Sequence, residues 1–188
     1  MECPAIAPQQ IPSEFVELAQ LVKEGECKRV LEIGTYRGGA LFVFSRLSAA
    51  DATIVSIDYG FSLLGKIVRG VQAPLFRRIV RPGQSLFLLR ADSHSQETLD
   101  RIKSILKGQM LDFLFIDGDH SYDGVRQDFN MYAPLVRAGG LIAFHDIART
   151  TGVEEVYRFW DEVKLKYRHR EIMHRTDSGA MGIGILWP

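Results

Sequence analysis

Along this chain, short apolar runs alternate with longer segments in which apolar residues recur every three or four positions. The runs at 29–34, 53–58, 85–92, 112–117 and 141–146 are rich in Val, Ile, Leu and Phe. Runs of that length without polar alternation read as strands buried on both faces, as in a parallel sheet. Between them, Phe15, Leu18, Leu21 and Val22 form the stripe of a helix over 13–24, with Ser13 as its N-cap. Further helices are expected over 38–47, 95–107, 122–136 and 152–166, the third of these closed by Ala138, Gly139 and Gly140 as a C-cap signal. Two more strands are expected at 167–173 and 180–187. Region 60–84 is ambiguous, with a helix around 73–80 and a turn at Pro82 and Gly83, and residues 1–10 read as a loose arm. Strict strand–helix alternation predicts an α/β fold: a doubly wound, mostly parallel sheet with helices on both faces. The close spacing of the last two strands favours an antiparallel pair at one edge. The expected organisation is an arm over 1–10 and one domain over 11–188.

The polar residues that interrupt this pattern fall at particular places. Glu32, Asp58, Asp92, Asp117 and Asp146 lie at or near the carboxyl ends of the first five strands. In a parallel sheet those ends share one edge, where open α/β sheets bind their ligands. Any one of these acids suits a turn or cap; the set of them suits a crevice. The densest stretch is Asp117-Gly118-Asp119-His120-Ser121-Tyr122-Asp123, directly after the fourth strand. After the first strand comes Glu32-Ile33-Gly34-Thr35-Tyr36-Arg37-Gly38-Gly39, a glycine-rich turn of nucleotide-binding type. Tyr36 stands where a second glycine normally lets a pyrophosphate approach the backbone, so an adenosine ligand without a pyrophosphate fits better than NAD or FAD. Asp58 follows Gly34 by 24 residues, near the offset of a carboxylate that grips ribose hydroxyls.

Composition narrows the classes. The 188 residues suit one domain with a substantial core. A formal net charge of zero advertises neither nucleic acid nor an anionic membrane as partner. The two cysteines, Cys3 and Cys27, have no paired spacing and are expected as reduced thiols. Neither a secretory leader nor the roughly 20 apolar residues of a membrane span is found. A cytoplasmic location is expected.

The segments 30–38, Ile57-Asp58, 90–93, 115–122 and 139–146 together resemble class I S-adenosylmethionine-dependent methyltransferases, a Rossmann-like fold. The nearer likeness is to a small-molecule O-methyltransferase subgroup with an Asp-Gly-Asp-His-Ser-Tyr segment and a later His-Asp. The resemblance runs from about residue 28 to Met181–Leu186, similar to the family's last antiparallel strand. It implies that Gly34 and Thr35, supported by Glu32, hold the methionine part of S-adenosylmethionine. It further implies that Asp58 binds the ribose, that Asp92 and Ser93 read the adenine edge, and that Asp117 faces the reacting end. Related metal-dependent enzymes take ligands after the fourth and fifth strands, which implies Asp117, His145 and Asp146 for a divalent metal. Hard oxygens favour Mg²⁺ or Mn²⁺, whereas the imidazole of His145 shifts the preference toward Mn²⁺, Fe²⁺ or Zn²⁺. His120 is the candidate general base, its unperturbed pKa lying near 6.5. It equally suits a helix-entry turn, and Asp119 suits the N-cap of the helix that follows.

The expectation is methyl transfer to a hydroxyl of a small molecule, with no nucleic-acid or membrane partner. Little chain is left to build a lid, so the pocket wall must come from the N-terminal segment, from 60–84, or from a second subunit in a homodimer. Three readings compete. The Asp117/Asp119 pair also suits phosphotransfer or metal-dependent glycosyl transfer, but those leave Glu32, Gly34 and Asp58 unused. A catalytically silent binder with the cofactor fold would not need Asp117, His120 and Asp146. Tyr122, Asp123 and Arg126 read as surface beside the site, Phe159 and Trp160 as core, and His169 and His174 without partners.

Overall fold

The computed structural model describes residues 10–59, 80–149, 155–174 and 181–188. Its elements are α1 (Pro12–Glu24), β1 (Arg29–Ile33), α2 (Gly39–Leu47), β2 (Thr53–Ile57), β3 (Ser85–Leu89) and α3 (Gln96–Leu106). They continue with β4 (Leu111–Ile116), α4 (Tyr122–Tyr132), β5 (Val136–His145), α5 (Val156–Val163), β6 (Arg168–Ile172) and β7 (Ile183–Trp187). The strands form one sheet in the order β3-β2-β1-β4-β5-β7-β6. From β3 to β5 all pairings are parallel, and β7 runs antiparallel to both β5 and β6. This is the expected Rossmann-like doubly wound sheet. The last two strands form the expected antiparallel pair at one edge, with β7 lying between β5 and β6. The strand order reverses between β1 and β4, and a ligand crevice belongs beyond the carboxyl ends there.

Both faces of the sheet are covered, which is why the strands read as continuous apolar runs. In β4, Phe113 and Phe115 point into a cluster with Phe15, Leu18 and Phe44 of α1 and α2. Leu114 and Ile116 point the other way, toward Ile102, Val125, Phe129 and Trp160 of α3, α4 and α5. Phe44 meets Phe113 and Phe115 edge-on, with centroids 4.9 and 5.2 Å apart, a favoured aromatic geometry. Phe159 and Trp160 are core, as the sequence predicts. Among the described residues, no helix is long and apolar enough to cross a membrane.

The boundaries differ from expectation in three places. Ser13 does not cap α1: Ile11 is the extended N-cap residue and Pro12 opens the helix, where its missing N–H costs nothing. The helix expected over 122–136 stops at Tyr132; Ala133–Leu135 tighten into a 3₁₀ turn around Pro134, and Val136 already opens β5. Gly139 and Gly140 are therefore not a helix C-cap. They form a bulge within β5, with Gly139 at φ +69° and the β4–β5 register shifting between Leu111 and Phe113. The turn at Pro82 and Gly83 is present. The helix expected at 73–80, most of region 60–84, the start of the helix expected at 152 and residue 180 of the last strand lie outside the described residues.

The β7–α5 contact leaves no spare volume. A Cβ on Gly184 would lie 2.7 Å from the Trp160 ring. Gly184→Ala should lower the unfolding free energy by ~1–3 kcal/mol through overpacking, measured by urea denaturation; an unchanged midpoint would refute this packing.

Candidate functional site

The site grows from the loops that leave β1, β2, β4 and β5. Gly34 has φ +96°, and a Cβ there would sit 1.9 Å from the Asp117 carbonyl oxygen. No residue with a side chain permits that approach. Gly34 N donates to Ile57 O and Asp117 N donates to Ile33 O, each at 2.9 Å. The exits of β1, β2 and β4 are thereby tied together. Tyr36 takes the left-handed conformation of the glycine it replaces, at φ +42°, and its N–H donates to Asp58 Oδ2 at 2.8 Å. Asp58 thus braces the glycine-rich turn.

Beneath the turn, Glu32 is fully buried. Ser56 Oγ donates to Glu32 Oε2 at 2.5 Å and also lies 2.5 Å from Thr35 Oγ1. Glu32 Oε1 is buried without a hydrogen-bond partner among the described residues. Burial pushes the Glu32 carboxyl up to about 8, against the Ser56 hydrogen bond, and the charges of Asp117 and Asp58 push the same way.

At the other side of the crevice, Asp117, His120 and Asp146 offer ligand atoms that all lie within 4.8 Å of one another. Asp117 Oδ1 is 3.5 Å from His120 Nε2 and 3.3 Å from His145 Nδ1. Asp146 Oδ2 is 3.4 Å from His120 Nδ1 and 3.0 Å from His145 Nδ1. Both histidines are therefore bracketed by the same two carboxylates. Burial alone would raise the Asp117 carboxyl, but hydrogen bonds and charge from His120 and His145 outweigh it and hold it below the usual range. The His120 imidazole is raised by its hydrogen bond to Asp117, against burial, with the Asp146 charge adding to it. Burial would lower His145, yet Asp117 and Asp146 together carry it up to about 10.

The expected residues thus fall into two groups. Glu32, Gly34, Thr35 and Asp58 form the glycine-loop side, and Asp117, His120, His145 and Asp146 form the charged side. Asp92 lies beyond the end of β3, where Oδ1 accepts from His94 N at 2.9 Å in a side-chain turn. Ser93 lies next to it, its carbonyl accepting from Tyr132 Oη at 2.6 Å. Asp119 is not the N-cap of α4. That position is Ser121, whose Oγ accepts from Gly124 N at 3.1 Å. Asp119 acts earlier, its Oδ1 accepting from Ser121 N at 2.9 Å in an Asx turn. Arg126 pairs with Asp123 at 2.9 Å on the surface of α4, and Tyr122 Oη donates to Glu162. His174 does have a partner, Glu17 Oε1 at 2.6 Å. The His169 ring packs edge-on against Trp160.

Two contributions have no sequence signal. Gln10, from the segment read as an arm, is 8% exposed and its Nε2 donates to Asp117 Oδ2 at 2.8 Å. Asp128, in the middle of α4, is fully buried and lies 3.3 Å from His94 Nε2. Both contacts join segments distant in sequence, so no local spacing marks them.

A family model described as a methyltransferase domain matches residues 31–147. An uncharacterised protein, R132, of Acanthamoeba polyphaga mimivirus is 29% identical over 119 residues, covering 62% of this chain and 50% of that protein. A second, y4gI of Sinorhizobium fredii, is 23% identical over 137 residues, covering 72% of this chain and 15% of that protein. The chain thus spans half, and a much smaller part, of the lengths of these relatives. Among solved structures, the O-methyltransferase from Bacillus cereus in complex with SAH superposes with a TM-score of 0.70 at 19% identity, covering 96% of this chain and 84% of that one. TomG from Streptomyces achromogenes, an O-methyltransferase of tomaymycin synthesis in complex with SAM, gives 0.68 at 19% identity, covering 98% and 82%. At that identity the likeness is one of fold.

The buried Glu32 sets a pH signature. An acid whose folded pKa is raised favours the folded state while protonated, so its contribution is full below the unfolded value of 4.5 and is lost as pH rises through about 8. Glu32→Gln should therefore raise the melting temperature at pH 9 by several degrees and leave it unchanged below pH 4.5. Scanning calorimetry of both proteins across that range measures it; equal curves at pH 9 would refute the buried, proton-binding carboxyl.

Proposed function

The chain belongs to the methyltransferase-domain family, and on that premise we propose that it transfers a methyl group from S-adenosylmethionine to a hydroxyl oxygen of a small molecule. The observation that carries the reading is the meeting of the glycine turn with a two-carboxylate, two-histidine cluster at the switch point of the sheet. The residues fit the cofactor: the Gly34 approach leaves a side-chain-free cradle, and the orphaned Glu32 Oε1 beneath it suits a cationic or N–H-bearing group. Bound S-adenosylmethionine supplies an electrophilic methyl on a sulfonium.

The chain's own residues do the rest. Gly34 and Thr35, with Glu32 below, hold the amino-acid end, and Asp58 holds the ribose edge beside Tyr36. Asp92 and Ser93, just beyond the end of β3, read the adenine edge. His120, 39% exposed in its side chain, takes the proton from the acceptor hydroxyl. Asp117 and Asp146 orient its ring and stabilise the imidazolium that forms. Gln10 steadies Asp117 from the opposite side. The acceptor oxygen's lone pair forms the new C–O bond as the C–S bond breaks, and the sulfur leaves with that electron pair as neutral S-adenosylhomocysteine.

A second reading adds a divalent cation, favoured by the mutual distances of Asp117, His120 and Asp146. Two carboxylates and an imidazole suit Mn²⁺, Fe²⁺ or Zn²⁺ better than Mg²⁺. His145, the histidine expected from sequence beside Asp117 and Asp146, lies against the same two carboxylates and is a further ligand candidate. Such an ion would lower the pKa of the acceptor hydroxyl and orient it.

Isothermal calorimetry with S-adenosylhomocysteine tests the first step; no heat at millimolar ligand would sink the proposal. Asp58→Ala should weaken that binding about tenfold or more while the protein stays folded, the effect of losing a charged hydrogen-bond acceptor. With a hydroxylated acceptor found by panel screening, His120→Ala should lower kcat about 10²- to 10⁴-fold. Because the base must be neutral and its pKa is raised, kcat/KM of the wild type should climb with pH above the ordinary value of 6.5. A flat profile across that range would reject His120 as base. Activity that survives a strong chelator selects the metal-free reading, and loss restored by Mn²⁺ selects the cation.

A further inference from the structure

Glu14 is a fully buried carboxyl that the reaction above does not use. It lies in the first turn of α1, and both its oxygens accept from the backbone, Oε1 from His174 N at 2.8 Å and Oε2 from Gly182 N at 3.1 Å. A buried carboxyl needs such partners. The two amides flank the connection between β6 and β7. Because β7 runs antiparallel to both of its neighbours, with Ile183 paired to His145 and to Ile172, that connection stands at the carboxyl edge of the sheet. Gln10, four residues before Glu14, donates to Asp117 Oδ2 at the same edge.

The backbone that leaves β5 depends on the entry to β7. Asp146 is left-handed, at φ +62°, a conformation uncommon for a residue other than glycine. Consecutive side chains on a strand point to opposite faces. The left-handed residue ends that alternation and lets Asp146 Oδ2 come 3.0 Å from Nδ1 of the adjacent His145 and 3.4 Å from His120 Nδ1. One segment holds the bend on both sides. Before it, His145 pairs with Ile183. After it, Ile147 N donates to Gly182 O at 3.4 Å and Ala148 N donates to Met181 O at 2.8 Å. The approach is close: a Cβ on Gly182 would lie 2.9 Å from Ile147 Cγ1 and 3.2 Å from Ala148 N.

We propose that Glu14 is a positioning residue for the reacting end: through the entry to β7 it holds the left-handed bend that sets the Asp146 carboxylate against His120 and His145. This rests on the reading of that cluster as the place of methyl transfer. Glu14 has no exposed surface, so it touches neither cofactor nor acceptor and acts only through the backbone. Its carboxylate accepts from Gly182 N while Gly182 O accepts from Ile147 N, so a single residue passes the constraint from α1 to the neighbour of Asp146. Anchoring of α1 to the sheet does not require this. The apolar contacts of Phe15, Leu18 and Val22 supply it, with Glu17 paired to Arg170 and His174.

The test compares the wild-type chain with Glu14→Gln by imidazole ¹H–¹⁵N correlation spectra, urea denaturation and calorimetry with S-adenosylhomocysteine. Glutamine keeps one acceptor oxygen and sets its own N–H donors against the second amide. The His120 and His145 signals should shift, and the His94 signals, from the loop after β3, should stay in place. In turnover with an acceptor, kcat should fall about 10- to 100-fold, the cost of a misplaced reacting group, with the KM for S-adenosylmethionine unchanged. Gly182→Ala leaves Glu14 in place and presses on the Ile147–Ala148 backbone directly, so it should move the same two histidines if Glu14→Gln does not fold. A folded Glu14→Gln that loses stability while His120 and His145 keep their wild-type signals makes Glu14 an anchor only and overturns the inference. Shifts of equal size at His94 mark a general loosening and overturn it as well. Wild-type protein that binds no S-adenosylhomocysteine overturns the methyl-transfer reading, and the imidazole signals still decide whether Glu14 positions the cluster.

Discussion

The exits of β1 and β4 cross so closely that the carbonyl of Asp117 occupies the space a side chain on residue 34 would need. That constraint admits only glycine, and much of the site hangs from it. It lets Gly34 N reach Ile57 O and Asp117 N reach Ile33 O, so three strand exits become one hydrogen-bonded unit. The turn that follows Gly34 is then aimed by Asp58 into a left-handed residue at Tyr36 and on to Gly38, where α2 begins. With its backbone pinned in this way, Asp117 presents its side chain to two histidines, one from the loop after β4 and one at the end of β5.

Charge is distributed unevenly along the crevice, and environment decides how. Asp117 is held below the usual carboxylate range by the imidazoles of His120 and His145, and His145 is carried up to about 10 in return. The charged side therefore balances itself from within the chain, by pairs whose members come from the ends of β4 and β5. Glu32 has the opposite fate. Buried below the glycine turn with a single hydroxyl donor, it is pushed up to about 8. Carboxyls on neighbouring strands with pKa values driven apart are the pattern expected where a site divides binding from proton transfer.

Helix α4 links the two ends of the crevice. Its first turn receives the Asp119 and Ser121 contacts that shape the loop after β4. Its middle holds the loop after β3 through Gln127, Asp128 and Tyr132. The helix is packed against the sheet by Val125, Phe129 and Tyr132, so both loops share one rigid support.

Much of this molecule was legible in the chain because it rests on local pattern. Apolar runs such as Phe113–Ile116 identify strands covered on both faces, and their alternation with helical stripes identifies a doubly wound sheet. The acids at the strand ends follow, since a parallel sheet sends its carboxyl ends to one edge. The boundaries around 133–140 were not legible: Gly139 and Gly140 carry the same residue types as a helix C-cap, and only pairing with β4 and with Pro188 makes them a bulge. The sequence alone determined the fold class, the edge that carries the site and most residues along it. Tertiary structure alone decided which histidine stands between which acids, that Gln10 reaches Asp117 across 107 positions, and that Asp128 lies beneath His94. The physical reason is that such contacts depend on how separate loops meet in space, and residues far apart in sequence carry no periodic signal of that meeting.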